Sequence, residues 1–422
     1  MAQLKDDCFA FGGGLMPLDE ALDLLSGRMD IIAGTEAVPV TQALGRILVD
    51  DLIAERAVPP HDNSAVDGYA VFFEDLNPEG DTVLPVGGRV AAGHPLGRPA
   101  ERGEAIRIFT GAAMPQGPDT IFMEEDATPD GDKVILPKGL KQGSNRRFAG
   151  EDVNVGDVVV PAGQVLRPQD LGLAASVGAA SLILRKRLKA AIFSTGDEIC
   201  DLDRTPPEGC VYDANRYSVR GLLEGLGLEV TDLGILPDDQ SAIEKALGEA
   251  ARTHDVLLTS GGVSAGEEDH VKAAVEAQGS LHFWRLAIKP GRPIALGQID
   301  QPEGHSTAFI GLPGNPVAAM VTFIMIARPL LMALAGARPD APKAFPVFSG
   351  FDGKKKSGRR EWLRARLEVG EDGTLRAVKF RSSGAGILTS MSFADGLVEL
   401  PEDVTRIAVG DPLSFLPFSE LM

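Results

Sequence analysis

Arg285, Lys289 and Arg292 follow one another with no acid between them, on a backbone that Pro290 and Pro293 restrict. Cations on a stiff support suit a phosphate or an oxyanion, although such a run also reads as a solvated face. Two glycine-rich stretches have matching chemistry: Ser260-Gly261-Gly262-Val263-Ser264-Ala265-Gly266 and Pro313-Gly314-Asn315-Pro316. Where side chains are missing at the start of a helix, backbone N–H groups can approach an anion. The first stretch is equally a tight turn, and the second an ordinary helix start with Asn315 as N-cap and Pro316 at N1. No Gly-Lys-Ser/Thr closes the first, so it is not a Walker phosphate loop. Hydroxyls and carboxylates occupy companion segments: Thr195-Gly196-Asp197-Glu198, Pro237-Asp238-Asp239 and Glu267-Glu268-Asp269.

A second basic cluster runs from Lys354 to Arg366, broken only by Glu361, and most of it reads as solvent-facing. Arg364 stands two residues after Trp362, which on a strand puts both on one face and makes it the candidate to reach a ligand. In the N-terminal half, Pro59 to Ala70 concentrates turn formers; Asn63 and Asp67 fit an Asx-type turn, whereas Asp62 is less easily explained. Thr110 exits another strand-like run, and the acids Glu124 to Asp126 are assigned no role. The six histidines show no HxxxH or HExxH spacing, so no zinc site is indicated. Neither a GxSxG elbow nor a kinase signature is present.

The elements that position these groups change along the chain. Residues 17–30 repeat apolar side chains at helical spacing, with Pro17 in the first turn. From about 36 to 165, short apolar runs between Gly, Pro, Asn and Asp predict β-strands and turns. From about 188 to 335, the strand-like runs LKAAIFST, LEVTDLGIL, HDVLLT, SLHFWRL and TAFIGL mostly alternate with helical runs, which predicts a mainly parallel sheet covered by helices. The candidate loops follow these strands, and ligands of such sheets bind outside the strands' carboxyl ends. Residues 340–422 return to short strands and predict a final β domain.

Composition bounds the partners. The 422 residues carry 60 acids against 41 Lys and Arg, a net charge of −19 that disfavours nucleic acid. The three cysteines are too few and too irregular for a disulfide framework or a thiolate metal site. No secretory signal is read, and the longest near-apolar run, Val317 to Ala327, falls short of the roughly 18 residues a membrane span needs. A cytoplasmic protein with no membrane partner is expected.

Seven linked segments carry a resemblance. PPHDNSAVDGYAV (59–71), RIFTGAAMPQGPDTIFMEED (107–126), GSNRRFAGEDVNVGD (143–157), FSTGDEI (193–199), TSGGVSAGEEDHV (259–271), RLAIKPGRPIALG (285–297) and GLPGNPVAA (311–319) together resemble the molybdopterin molybdenumtransferase family, which includes MoeA and the gephyrin E-domain. Order and spacing agree over essentially the whole chain. The resemblance implies a multidomain α/β plus β fold. An N-terminal helix (1–30) packs with the α/β domain; 31–50 and 146–180 form an elongated dimerisation segment; 51–145 is a β domain. Residues 181–336 form the α/β molybdopterin-binding domain with a mostly parallel sheet, and 337–422 a barrel-like β domain.

The implied activity is insertion of molybdenum from molybdate into adenylylated molybdopterin, with Mg²⁺ present and AMP released. The implied catalytic residues are Asp62, Glu198, Asp269 and Lys289, with Glu198, Asp238 and Asp269 available to Mg²⁺. Substrate contacts fall to Thr110, Thr195, Gly196, Asp238, Gly261, Gly262, Ser264, Arg285, Arg292, Pro313, Gly314, Arg364 and Ser383. A homodimer is implied, Asp62 and Thr110 coming from the second subunit, with molybdopterin adenylyltransferase and molybdoenzyme acceptors as partners. The family often has Lys where this chain has Arg285 and Arg292, which keeps the charge and changes a point cation into a fork. Alternative activities are the preceding adenylylation step, whose enzyme shares a TSGG-type loop, and non-catalytic scaffolding.

Overall fold

The computed structural model describes residues 14–262, 270–302, 305–339 and 341–422. The opening helix is Leu18–Arg28, with Pro17 just outside it as N-cap rather than within the first turn. Leu18, Ala21 and Leu25 are buried against Leu330, Leu331 and Leu334 of a helix more than three hundred residues later. Next, Thr35–Pro39 pairs antiparallel with Ser181–Arg185, and Leu52–Ile53 with Val158–Val160. Val38, Leu48, Val160, Leu166, Leu182 and Leu184 give this segment its own small core.

Between those pairings lies a six-stranded sheet ordered Thr120–Met123, Gly68–Val71, Ala105–Ile108, Thr82–Val90, Lys133–Leu136, Thr128–Asp130. Both of its faces are covered: Tyr69, Val71, Leu84 and Phe122 are buried on one side, Ile106, Ile108 and Ile121 on the other. Gly68 is required where two strands cross closely, since a Cβ there would lie 1.7 Å from the Phe122 carbonyl oxygen.

The α/β sheet is ordered Glu229–Leu236, Lys189–Thr195, Val256–Ser260, Ser306–Leu312, Pro293–Asp300, Gly279–Arg285. Five strands were expected; Pro293–Asp300 is a sixth, antiparallel to both neighbours. In the sequence it reads as the tail of the proline-rich loop, because only Arg292 separates that loop from it. Ala214–Gly225, the opening helix and the long helical segment from Pro316 cover one face, while Gln240–Ala251 and His270–Glu276 cover the other. Lys189–Thr195 has a parallel partner on each side, later in the chain both times, so the connections diverge there. The crevice of such a sheet opens at that switch, outside the carboxyl ends.

The segment Pro316–Ala335 corrects the expected apolar run. It continues through a π-helical stretch, Phe323–Ala327, and past Arg328, giving 20 residues of mean hydropathy 2.1. That is long and apolar enough to cross a membrane, yet 72% of it is buried inside the fold, where it serves as a core helix.

The C-terminal strands close a five-stranded barrel: Arg360–Val369, Leu375–Lys379, Phe345–Ser349, Pro412–Pro417, Gly396–Leu400 and back to Arg360–Val369. Val347, Ala365, Val398 and Phe415 fill it. One short strand of the α/β unit, Ile288–Lys289, joins this sheet in parallel register, Ile288 opposite Arg360 and Lys289 opposite Glu361. Backbone hydrogen bonding therefore runs without interruption from the basic loop into the barrel.

Candidate active site at the carboxyl edge of the sheet

Three βα loops meet above the switch point. A Cβ on Gly262 would lie 2.5 Å from Thr195 Oγ1, and one on Gly261 3.7 Å from the Gly314 Cα, so the turns are in contact. Gly261 and Gly262 both have positive φ (88° and 67°), which is why two glycines stand together here. Ser260 Oγ donates to the Pro313 carbonyl at 3.0 Å. Asn215, in the first turn of Ala214–Gly225, ties the same loops, its Nδ2 donating to Ser260 Oγ at 2.8 Å and to the Gly314 carbonyl at 2.7 Å.

Glu198 belongs to this edge. Gly196 has φ of 134°, and a Cβ there would sit 2.5 Å from Glu198 Oε2, so the exposed carboxylate folds over a position only glycine can hold. The excursion carrying it is pinned by Arg216, which is 4% exposed and pairs with Asp201, Asp213 and Asp232. Asp201 also accepts from the Tyr217 hydroxyl and the Leu202 N–H, and these bonds lower its pKa to about 2. Asp238 is exposed two residues beyond Leu236, the register partner of Thr195. Asp269 and Ser264 lie outside the described residues.

Arg285 closes the last strand of the sheet and Arg292 faces it across the loop; both are exposed, and neither is paired with a carboxylate among the described residues. Lys289 is half-buried, its Nζ donating to Glu361 Oε2 at 3.1 Å. It lines a cavity of about 160 Å³ between the loop and the barrel, together with Lys354, Lys355, Arg364, Lys379 and Arg381. Ser382 and Ser383 complete that wall, and Glu361 is the one acid lining it.

Arg364 is only 3% exposed and has no carboxylate at ion-pair distance among the described residues. Its guanidinium donates to Ser390 Oγ at 3.0 Å and to the Ser382 and Gly384 carbonyls, each at 3.3 Å. Burial pushes its pKa down, and likewise that of Lys355. A desolvated cation without a counter-charge is costly unless an anion joins it.

The helix start at Asn315 departs from expectation. Asn315 is the N-cap residue but makes no side-chain cap bond, and the Val317 N–H donates to the Ala385 carbonyl at 2.9 Å. The 382–386 segment thus takes a donor that the sequence left open for an anion, and brings the barrel against the Pro313-Gly314 turn.

Asp62 and Thr110 lie in the β unit. One Asp62 oxygen accepts from Arg146 and the other from the Ala149 N–H at 2.7 Å; these bonds lower its pKa. Thr110 donates both its N–H and its hydroxyl to Asp67, at 2.7 and 2.8 Å. None of these bonds reaches the α/β loops.

Asn215, Arg216, Glu361, Lys379 and Arg381 were missed as site residues. Only Asn215 had a local signal, since Asp213 marks a helix start and places it in the first turn. Among the described residues, no group of three or more His, Cys, Asp or Glu could cage a metal. Mg²⁺ commonly uses one or two carboxylates plus substrate phosphates, and Glu198 folded over Gly196 beside the Asp238 loop fits that donor set.

Fold and site define a multidomain α/β protein with glycine-rich loops at the carboxyl edge of its sheet and a cation-lined cavity where Lys289 meets the barrel. Family models match in chain order: MoeA N-terminal region (domain I and II) at 16–178, a probable molybdopterin binding domain at 191–333, and MoeA C-terminal region (domain IV) at 349–418. A molybdopterin molybdenumtransferase of Haemophilus influenzae is 36% identical over 97% of this chain and 100% of its own. Molybdopterin molybdenumtransferase 2 of Mycobacterium tuberculosis is 33% identical over 89% and 93% respectively. The crystal structure of the molybdopterin biosynthesis MoeA protein from Pyrococcus horikoshii superposes with a TM-score of 0.80, at 29% identity, covering 96% of this chain and 100% of that one. The chain belongs to the MoeA family of molybdopterin molybdenumtransferases.

Proposed function

We propose that this chain is a transferase that inserts molybdenum from molybdate into adenylylated molybdopterin, releasing AMP in a Mg²⁺-dependent reaction. The observation that carries the reading is Arg364: a guanidinium 3% exposed, without a carboxylate partner among the described residues, on the wall of a cavity lined by five further cations. Such a site is stabilised by an oxyanion. Lys289, Arg364, Ser383 and Arg292 hold molybdate. Thr195, Gly196, Gly261, Gly262, Ser264, Pro313, Gly314 and Arg285 receive the pterin phosphate and nucleotide.

Glu198, with Asp238 and Asp269, would hold Mg²⁺, which when bound offsets phosphoanhydride charge. Glu198 would be the principal carboxylate holding that ion, and Lys289 keeps the oxyanion beside the loops.

Asp62 and Thr110 complete the cleft from a second subunit of a homodimer, whose contact is carried by 31–50 and 146–180. The other units are the 1–30 helix, 51–145, 181–336 and 337–422. Molybdopterin adenylyltransferase supplies the substrate and molybdoenzymes accept the product, in the cytoplasm.

The test is incubation of purified protein with adenylylated molybdopterin, molybdate and Mg²⁺. AMP release with formation of active cofactor is expected. No AMP, or adenylylated product accumulating from ATP and molybdopterin alone, overturns the reading.

A further inference from the structure

Building on the reading that the cavity beside Lys289 takes molybdate, we propose that Glu361 is its resident counter-anion: it holds Lys289 while the cavity is empty and sets the affinity for the incoming oxyanion. Glu361 is 3% exposed and is the one acid among the cavity's lining residues, which include six cations. Its two oxygens are used unequally. Oε2 accepts from Lys289 Nζ at 3.1 Å, whereas Oε1 is buried with no hydrogen bond, Arg359 Nη2 lying 3.7 Å from it.

A carboxylate buried only to fasten two parts of a fold is expected to have both oxygens satisfied. The fastening here is done by the main chain, because Lys289 and Glu361 are already opposite one another in a parallel ladder. What the side chain adds is a negative charge on the wall of an anion cavity. A tetrahedral dianion entering that cavity competes with Glu361 for the Lys289 ammonium and is repelled by the carboxylate across a few ångströms. Glu361 therefore weakens a site that its cations alone would make too retentive, and lets oxyanion leave when the organic substrate is absent. Lys289 keeps a partner throughout, so the half-buried ammonium stays oriented between visits.

Molybdate alone, titrated calorimetrically into the full-length protein at fixed pH and ionic strength, tests this. Glu361→Gln should bind molybdate at least about tenfold more tightly than the parent, since a like charge is removed from the cavity wall. In a Lys289→Ala background the same exchange should give a smaller gain, because the contested ammonium is gone. Unchanged or weaker binding by Glu361→Gln, at the parent's melting temperature, overturns the proposal and makes Glu361 a positioning partner of Lys289.

If Glu361→Gln does not fold, Glu361→Asp keeps the charge but draws it back from Lys289, and tighter binding is again expected; unchanged or weaker binding overturns the proposal. Arg364→Ala separates the two levels. If it leaves molybdate affinity unaltered, the cavity is not the oxyanion site and both readings fall. If it weakens binding while Glu361→Gln fails to tighten it, the counter-anion proposal alone falls.

Discussion

Arg364 is the side chain on which the proposed oxyanion cavity rests. A fold seldom keeps a guanidinium 3% exposed with only hydroxyl and carbonyl acceptors, because desolvation is then not offset by an opposite charge. Arg364→Ala should lower molybdate affinity by roughly two orders of magnitude, the scale of losing a buried charge-assisted contact, and Arg364→Lys should restore only part of it. Binding by calorimetry and melting by circular dichroism check this together, since the variant should melt no earlier than the parent. Glu198 has the opposite character, an exposed carboxylate with little to stabilise. Glu198→Gln should cut turnover by about a hundredfold or more with no shift in melting temperature, read by AMP release.

At the scale of elements, one helix start organises the edge. Asp213, Asn215 and Arg216 begin Ala214–Gly225: Asn215 holds the Ser260-Gly261 and Pro313-Gly314 turns, and Arg216 holds the excursion that carries Glu198. Asp201 is the least buried acid of that clamp. Its pKa falls from 3.8 to about 2 in the fold, so it adds stability at pH values above its unfolded pKa, and that stability is lost as the pH drops through the folded value. The melting difference between parent and Asp201→Asn should therefore be constant from neutral pH to about 5 and shrink as the pH falls from there toward 2. A difference that grows on acidification would contradict the clamp.

At the scale of the molecule, a net negative charge and a cation-lined cavity coexist by segregation. The net −19 is spread over the chain, whereas Lys289, Lys354, Lys355, Arg364, Lys379 and Arg381 converge where Ile288–Lys289 joins the barrel. Asp62 and Thr110 lie in another unit, and their bonds go to Arg146, Ala149 and Asp67 rather than to the α/β loops. If they complete the cleft of a second subunit, Asp62→Ala and Glu198→Gln proteins, each inactive alone, should regain activity when mixed under exchange. Random pairing makes half the dimers mixed with one intact site of two, so about a quarter of parental turnover is expected. No recovery in an exchange-competent mixture would place the whole site within one chain.

The succession of strands and helices through the α/β unit was legible from periodicity, because buried faces impose their spacing on the chain. So were the candidate loops: glycines at positive φ, capping residues and clustered charge are local requirements. Pro293–Asp300 was not, since a strand following a loop without a break has no boundary signal. The helical run 315–334 was legible and matches Pro316–Ala335; that distant elements including the first helix cover its apolar faces was not. Which polar groups remain free depended wholly on the tertiary structure. The Val317 N–H is used by Ala385, Asp62 is held by Arg146 and Ala149, and Glu361 reaches Lys289 across seventy-two positions. The sequence by itself determined most of the elements and pointed toward an anionic ligand. The folded chain decided which cations lose their water and which of those already have a counter-charge, because desolvation and charge pairing are properties of neighbours that only folding brings together.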